Sequence, residues 1–68
     1  MQFIELTFKG EKYLENVAEI ASFWRDGENC KVIYKNQAEI TVGESYDEVK
    51  RLLEKARYLN PAALVGKK

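Results

Sequence analysis

The sequence predicts an α+β fold in which a small five-stranded antiparallel curved sheet precedes one C-terminal helix. Short segments with alternating apolar residues, separated by turn residues, fill the earlier part of the chain. Ser45 and Glu48 then form a capping-box pattern, in which the two side chains bond backbone N–H groups at the start of a helix. Apolar residues recur at helical spacing after this box, namely Tyr46, Val49, Leu52, Leu53 and Ala56.

The first strand, about residues 2–8, and the second are predicted to form a hairpin around Gly10. Glycine suits the first central position of a type II′ two-residue turn, which requires a positive φ. This turn would place Phe8 opposite Tyr13 and Ile4 opposite Val17, so that apolar residues meet across the strands. Glu15 would then fall opposite Leu6, and we expect it to escape at an edge or a bulge.

The remaining strands are predicted at about residues 20–25, 30–35 and 38–42. The segment 16–20 is compatible with either a strand continuation or a short turn, and residues 26–29 form a loop. The apolar faces of the last two strands coincide only if the connection has an odd number of residues. We therefore predict a three-residue turn in which Asn36 or Gln37 adopts the left-handed conformation.

The helix is predicted from Tyr46 to about Tyr58. It should stop before Asn60, because a residue that precedes proline is pushed out of the α region. We expect one domain over residues 1–60 and a short flexible tail over residues 61–68.

Composition predicts a small protein that needs additional stabilisation. A chain of 68 residues buries only about 60% of its unfolded surface. The single Cys30 excludes an intrachain disulfide, and without histidine the usual zinc and transition-metal sites lack their ligands. Oligomerisation is the remaining way to stabilise so small a core, so we expect a homodimer. No segment predicts membrane insertion, and we expect a cytoplasmic protein.

Charge is distributed unevenly along the chain. Residues 1–48 carry five basic and ten acidic side chains, whereas residues 49–68 carry six basic side chains and only Glu54 as an acid. The basic segment is compatible with a solvated helix face, with contact to an acidic sheet in the same or a second molecule, or with phosphate binding.

The residue types argue against an enzyme. A nucleophilic site would lack a histidine base, no pair of carboxylates is singled out by its spacing, and no glycine-rich phosphate loop is present. We interpret Cys30 as a small core residue. We therefore expect no catalytic, cofactor-binding or metal-binding residues.

The aromatic residues are the stronger functional signal. A single helix covers one face of the sheet, so some apolar side chains must stay outside the core, where they favour a dimer, another protein partner or nucleic-acid stacking. We predict a non-enzymatic protein-protein interaction module. The alternative is a small nucleic-acid-binding regulator that uses the basic helix and tail. The predicted interaction surface contains Phe3, Phe23, Trp24, Arg51, Lys55 and Tyr58.

Three stretches of the chain resemble the small flagellar-operon proteins of the FlbD type. They are residues 16–20, the hairpin through Asn36, and the run Ile40-Thr41-Val42-Gly43-Glu44-Ser45 that Glu48-Val49 follows. The resemblance covers roughly residues 3–55 and departs from the family pattern at Gln37, where glycine is favoured. It implies the same strand-to-helix fold in a small bacterial or phage-like protein, and a role without catalytic residues.

A second resemblance is to the carbon storage regulators, which are intertwined RNA-binding dimers of five strands and a terminal helix. Leu6-Thr7 followed shortly by Gly10-Glu11 matches their layout. That family carries a basic residue at the strand-to-helix junction, whereas this chain has Glu44, Asp47 and Glu48 there. Because carboxylates repel phosphate, this departure counts against RNA binding.

Overall fold

The computed structural model describes residues 2–56, which form five antiparallel strands and one α-helix. The α+β class predicted from the sequence is confirmed. The elements in chain order are β1 (Phe3–Phe8), β2 (Glu11–Asn16), a 3-10 turn (Val17–Glu19), β3 (Ile20–Asp26), β4 (Asn29–Tyr34), β5 (Glu39–Val42) and α1 (Tyr46–Lys55). The predicted tail at 61–68 lies outside the described residues.

The strands form two sheets, so the prediction of a single five-stranded curved sheet is wrong. One sheet is the β1–β2 hairpin and the other has the order β3-β4-β5. β1 lies beside β5, but their backbones meet where the Gly43 N–H donates to the Thr7 carbonyl at 2.8 Å. The Thr7 N–H is bonded instead to Glu44 Oε1 at 2.8 Å. The Glu44 side chain thus accepts from the backbone N–H that a continuous β1–β5 ladder would use.

The turn between β1 and β2 also differs from the prediction. Lys9 and Gly10 both have positive φ, at 53° and 81°, which is the type I′ pattern rather than type II′. The register therefore pairs Leu6 with Tyr13 and Ile4 with Glu15. Because this differs from the predicted register by two residues, each side chain keeps its predicted face.

The connections around β3, β4 and β5 follow the sequence signals. The ambiguous segment 16–20 contains the 3-10 turn, which begins where the Asn16 side chain accepts from the Ala18 N–H. Residues 35–38 lie between β4 and β5. Because Ile33 pairs with Glu39, the turn itself comprises the three residues 35–37, of which Gln37 has the left-handed φ of 75°. The Tyr34 N–H donates to the Ala38 carbonyl across this turn. The predicted three-residue turn is confirmed.

The helix begins where the capping residue predicts it. The Ser45 hydroxyl accepts from the Glu48 N–H at 3.1 Å, so Ser45 is the N-cap. In the described part of the chain, the helix runs to Lys55 and Ala56 is its C-cap. The predicted end at Tyr58 lies outside the described part of the chain.

The core lies between the two sheets and the helix. Its fully or nearly fully buried apolar residues are Ile4, Leu6, Val17, Ile20, Cys30, Val32, Val42, Val49 and Leu53. Cys30 is completely buried, as its interpretation as a core residue predicted, and burial raises the pKa of its thiol. Within residues 2–56, no helix has the length and apolar character that crossing a membrane requires.

Candidate interaction surface

The structure places the described residues of the predicted surface in four separate environments. Phe3 and Trp24 are exposed, at 49% and 59% of their surface, but they lie on different sheets. Phe23 is half-buried, and its ring lies 5.2 Å from the Tyr46 ring of α1. Phe23 therefore helps to attach the helix to β3.

The basic residues of the predicted surface lie on α1. Arg51 and Lys55 are both exposed, and Arg51 Nη2 lies 3.8 Å from Glu48 Oε2. A pair this exposed contributes little to stability. Tyr58 lies outside the described residues.

Trp24 lies on the outward face of the three-stranded sheet, which we call the Trp24 face. Its members are Ser22, Trp24, Asp26, Lys31, Ile33, Glu39 and Thr41, all of which alternate with inward-facing residues. Ile33 is the diagonal neighbour of Trp24, because Trp24 pairs with Lys31 and Ser22 pairs with Ile33. Both side chains line a shallow depression together with Arg25, Asp26, Lys31 and Glu39.

The charged side chains that line the depression beside Trp24 are two cations, Arg25 and Lys31, and two anions, Asp26 and Glu39. Lys31 Nζ lies 3.5 Å from Glu39 Oε1. Arg25 stacks over the Tyr46 ring at 4.7 Å and lies 3.5 Å from Asp47. The surroundings of the exposed indole therefore carry balanced charge. Phosphate binding depends on an excess of positive charge, and the described side chains that line this depression carry none.

The outward face of the β1–β2 hairpin carries a second exposed apolar pair, and we call it the hairpin face. Its members are Phe3, Glu5, Thr7, Lys12, Leu14 and Asn16. Phe3 pairs with Asn16, so Leu14 is its diagonal neighbour. Leu14 is 68% exposed.

A buried polar cluster joins the two sheets on the inner side of β2. Glu15 is only 7% exposed, and its Oε1 accepts from Tyr34 Oη of β4 at 2.5 Å and from Tyr13 Oη at 3.0 Å. The ion pairs found within residues 2–56 involve other side chains. Two phenol groups thus donate hydrogen bonds to this buried carboxylate.

The two tyrosines have higher pKa values than exposed tyrosines. Burial, followed by the hydrogen bond to Glu15, raises the pKa of Tyr34 to about 12. Burial also raises the pKa of Tyr13, with further contributions from Tyr34 and Glu15. Both phenols therefore stay protonated and act as donors at neutral pH.

The polar cluster and the exposed apolar residues of the described chain lie in different places. The Glu15 cluster is enclosed by the core, and each of its hydroxyls is committed to the carboxylate. Residues 2–56 contain no group of three or more histidine, cysteine, aspartate or glutamate side chains that could hold a metal. The accessible features are the Trp24 face and the hairpin face.

Sequence reasoning missed two parts of this arrangement. The expectation that Glu15 escapes at an edge or a bulge is wrong, because Tyr13 and Tyr34 satisfy it inside the core. The sequence did contain a signal for this contact: Tyr13 and Glu15 are two residues apart on β2, so their side chains lie on the same, inward face. The contact of Glu44 with Thr7 had no local signal, since these residues are far apart along the chain.

Comparisons with known proteins assign no family to this chain. No family model, no curated protein and no solved structure matches it.

Proposed function

We propose that this protein is a non-enzymatic interaction module that forms a homodimer through the Trp24 face. The observation that carries the proposal is the exposure of Trp24 beside Ile33 in surroundings of balanced charge. Tryptophan is a frequent energetic centre of protein interfaces, since it combines a large apolar ring with a polar N–H.

The position of Trp24 in the sheet supports a second copy as the partner. β3 is an edge strand of its sheet in the described part of the chain, and an edge strand offers its backbone for pairing with another chain. The face also carries both signs of charge, on Lys31 and on Asp26 and Glu39. A twofold interface can bring such groups together across the two subunits.

The resemblance to the FlbD-type proteins is part of this proposal. It rests on the V-G-E-S box, which forms the strand-to-helix junction, and on the turn through Asn36. It supports a role without catalysis and without a cofactor.

Sedimentation across micromolar concentrations tests the proposal. We expect a dimer whose melting temperature rises with protein concentration. Trp24→Ala should raise the dissociation constant about 30-fold, the ratio for the loss of an interface centre worth ~2 kcal/mol. Leu14→Ala is the matched control, because it removes an exposed apolar side chain from the other sheet.

A concentration-independent monomer would overturn the dimer. The nucleic-acid alternative predicts a different result, namely salt-sensitive binding of an oligonucleotide that is lost in Arg51→Glu/Lys55→Glu. Fluorescence anisotropy with mixed RNA and DNA oligonucleotides distinguishes the two functions. Under the dimer proposal, we expect only weak non-specific binding at physiological salt.

A further inference from the structure

We propose that β3 pairs in the antiparallel direction with β3 of a second copy, in the register that places the two Trp24 residues opposite each other. The inference rests on the proposed homodimer, because it specifies how the two copies meet at the Trp24 face. It begins from the backbone groups of β3 that point away from β4.

The backbone groups of β4 alternate between its two neighbouring strands. The Tyr34 N–H donates to the Ala38 carbonyl at 2.8 Å, so Tyr34 directs its backbone groups toward β5. Successive residues of an antiparallel strand direct these groups to opposite sides. Lys31 and Ile33, at the odd-numbered positions of β4, therefore direct theirs toward β3.

This alternation identifies the groups on the open edge of β3. The two β4 residues that face β3 pair with Trp24 and Ser22, so these two direct their backbone groups toward β4. Phe23 and Arg25 direct theirs to the opposite side, where the described part of the sheet has no further strand. The N–H and carbonyl groups of Phe23 and Arg25 are therefore placed to bond another strand.

The regular part of this edge runs from Ser22 to Asp26. The pairing of β3 with β4 shifts register between Ile20 and Ser22, so Ala21 is an extra residue that disrupts the edge before Ser22. The strand ends at Asp26. Trp24 is the midpoint of the regular segment, so a twofold axis that uses the whole segment passes through Trp24.

This register brings complementary side chains together on the outward face. Ser22 lies opposite Asp26 of the second copy. The Ser22 hydroxyl accepts from Trp24 Nε1 at 3.1 Å and can also donate to a carboxylate. The ion pairs within residues 2–56 involve side chains other than Asp26, which accepts from the Thr41 hydroxyl at 3.2 Å. Its carboxylate has the capacity to accept a further bond.

The inward side of the same register pairs an arginine with an aromatic ring. Phe23 lies opposite Arg25 of the second copy, and their backbones exchange hydrogen bonds. Arg25 already stacks over the Tyr46 ring of its own chain at 4.7 Å, yet its side chain is 60% exposed. The ring of Phe23 from the second copy offers the guanidinium another aromatic contact.

The neighbouring registers lack this complementarity. The twofold axis can pass through any residue of the segment, because opposite residues then share a face. An axis at Arg25 places two like charges directly opposite each other, which is destabilising. An axis at Phe23 or Ser22 brings the irregular Ala21 into the ladder. With the axis at Trp24, the two indoles form a pair without backbone bonds between them, the type of pair in which side chains approach most closely.

Disulfide formation between two variants of the full chain tests the register. Ser22→Cys and Asp26→Cys are mixed in equal amounts and oxidised. The two thiols lie directly opposite in the mixed dimer, with Cα atoms about 4.5 Å apart, a separation that a disulfide spans. The second Ser22–Asp26 contact of this dimer stays intact. Cys30 is completely buried in each chain, so it does not compete.

Two controls accompany this mixture. Ser22→Cys mixed with Thr41→Cys is the matched control, because Thr41 is exposed on the outward face of β5. Each variant alone is the second control. In the proposed register the two copies of residue 22 are offset by about 13 Å along the strands, and so are the two copies of residue 26. A disulfide cannot span that distance.

We expect the mixed disulfide of Ser22→Cys with Asp26→Cys to form about ten times faster than any control disulfide, because pairing raises the local concentration of one thiol at the other. Mass spectrometry identifies the mixed product. Sedimentation of the same mixture under reducing conditions separates this inference from the proposed function. A dimer that cross-links no faster than the controls would overturn the register and leave the homodimer, whereas a monomer would overturn both.

Discussion

Two glutamates join the two sheets, and they do so in opposite environments. Glu44 lies at the junction between β5 and α1, where its two oxygens accept separately from the Thr7 N–H and hydroxyl, each at 2.8 Å. Glu15 lies in the core, where one oxygen accepts from two tyrosines. Glu44 keeps contact with solvent, whereas Glu15 depends on its protein donors. The comparison indicates that the same residue type fixes one junction at low desolvation cost and the other at high cost.

The largest expected effect is at the buried junction. Glu15→Ala leaves two half-buried tyrosine hydroxyls without their acceptor and opens a cavity, so we expect a loss of about 3 kcal/mol in the free energy of unfolding. Glu44→Ala should cost about 1–2 kcal/mol, since water can replace the carboxylate at Thr7. Urea denaturation of both variants measures the difference.

Glu15→Gln is the matched control for this comparison, because it keeps an acceptor oxygen at nearly the same size. It should be less destabilising than Glu15→Ala. If Glu44→Ala proved more destabilising than Glu15→Ala, the exposed junction would be the stronger of the two.

The second prediction concerns alkaline pH and applies only to the buried junction. In the unfolded chain Tyr34 titrates near its ordinary pKa of 10.0, whereas in the folded protein its pKa is about 12. Above pH 10 the unfolded state loses its proton first, so stability is fully present below pH 10 and falls as the pH rises toward 12. Tyr34→Phe should cost about 1.5–2 kcal/mol at neutral pH through the lost bond to a charged acceptor.

Denaturation at several pH values between 9 and about 11 checks this dependence. The difference in stability between wild type and Tyr34→Phe should shrink as the pH rises. This difference removes the contribution of titrating groups that do not interact with Tyr34; Tyr13, whose pKa Tyr34 helps to raise, is not among them. A constant difference would show that Tyr34 contributes no pH-dependent stability.

The smallest expected effect is the loss of the helix cap at Ser45, which lies beside the exposed junction at Glu44. Ser45→Ala removes the bond to the Glu48 N–H and should cost about 1 kcal/mol, while the adjacent Glu44 keeps its bonds to Thr7. The denaturation midpoint measures the change. The double variant with Glu44→Ala shows whether cap and junction act independently, in which case the two losses add. An unchanged midpoint in Ser45→Ala would place the start of the helix elsewhere.

Local signals predicted much of the fold. The cap at Ser45, the left-handed residue in the turn at 35–37 and the alternation of the strands each depend on neighbouring residues. The assignment of hairpin side chains to the inward or outward face was also predicted correctly, although the turn type and the register were not. A register difference of two residues leaves the parity of a strand unchanged, so Phe3 and Leu14 face outward in both registers.

The joining of the two sheets and the position of Glu15 follow from contacts between distant parts of the chain. The α+β class, the strand-to-helix order and the exposure of some aromatic side chains follow from periodicity, capping and turn chemistry, which are local. The break between β1 and β5 depends on the long-range contact of Glu44 with Thr7. The burial of Glu15 depends on Tyr34 from another sheet. Such contacts form only after distant strands have met, so no local pattern encodes their geometry.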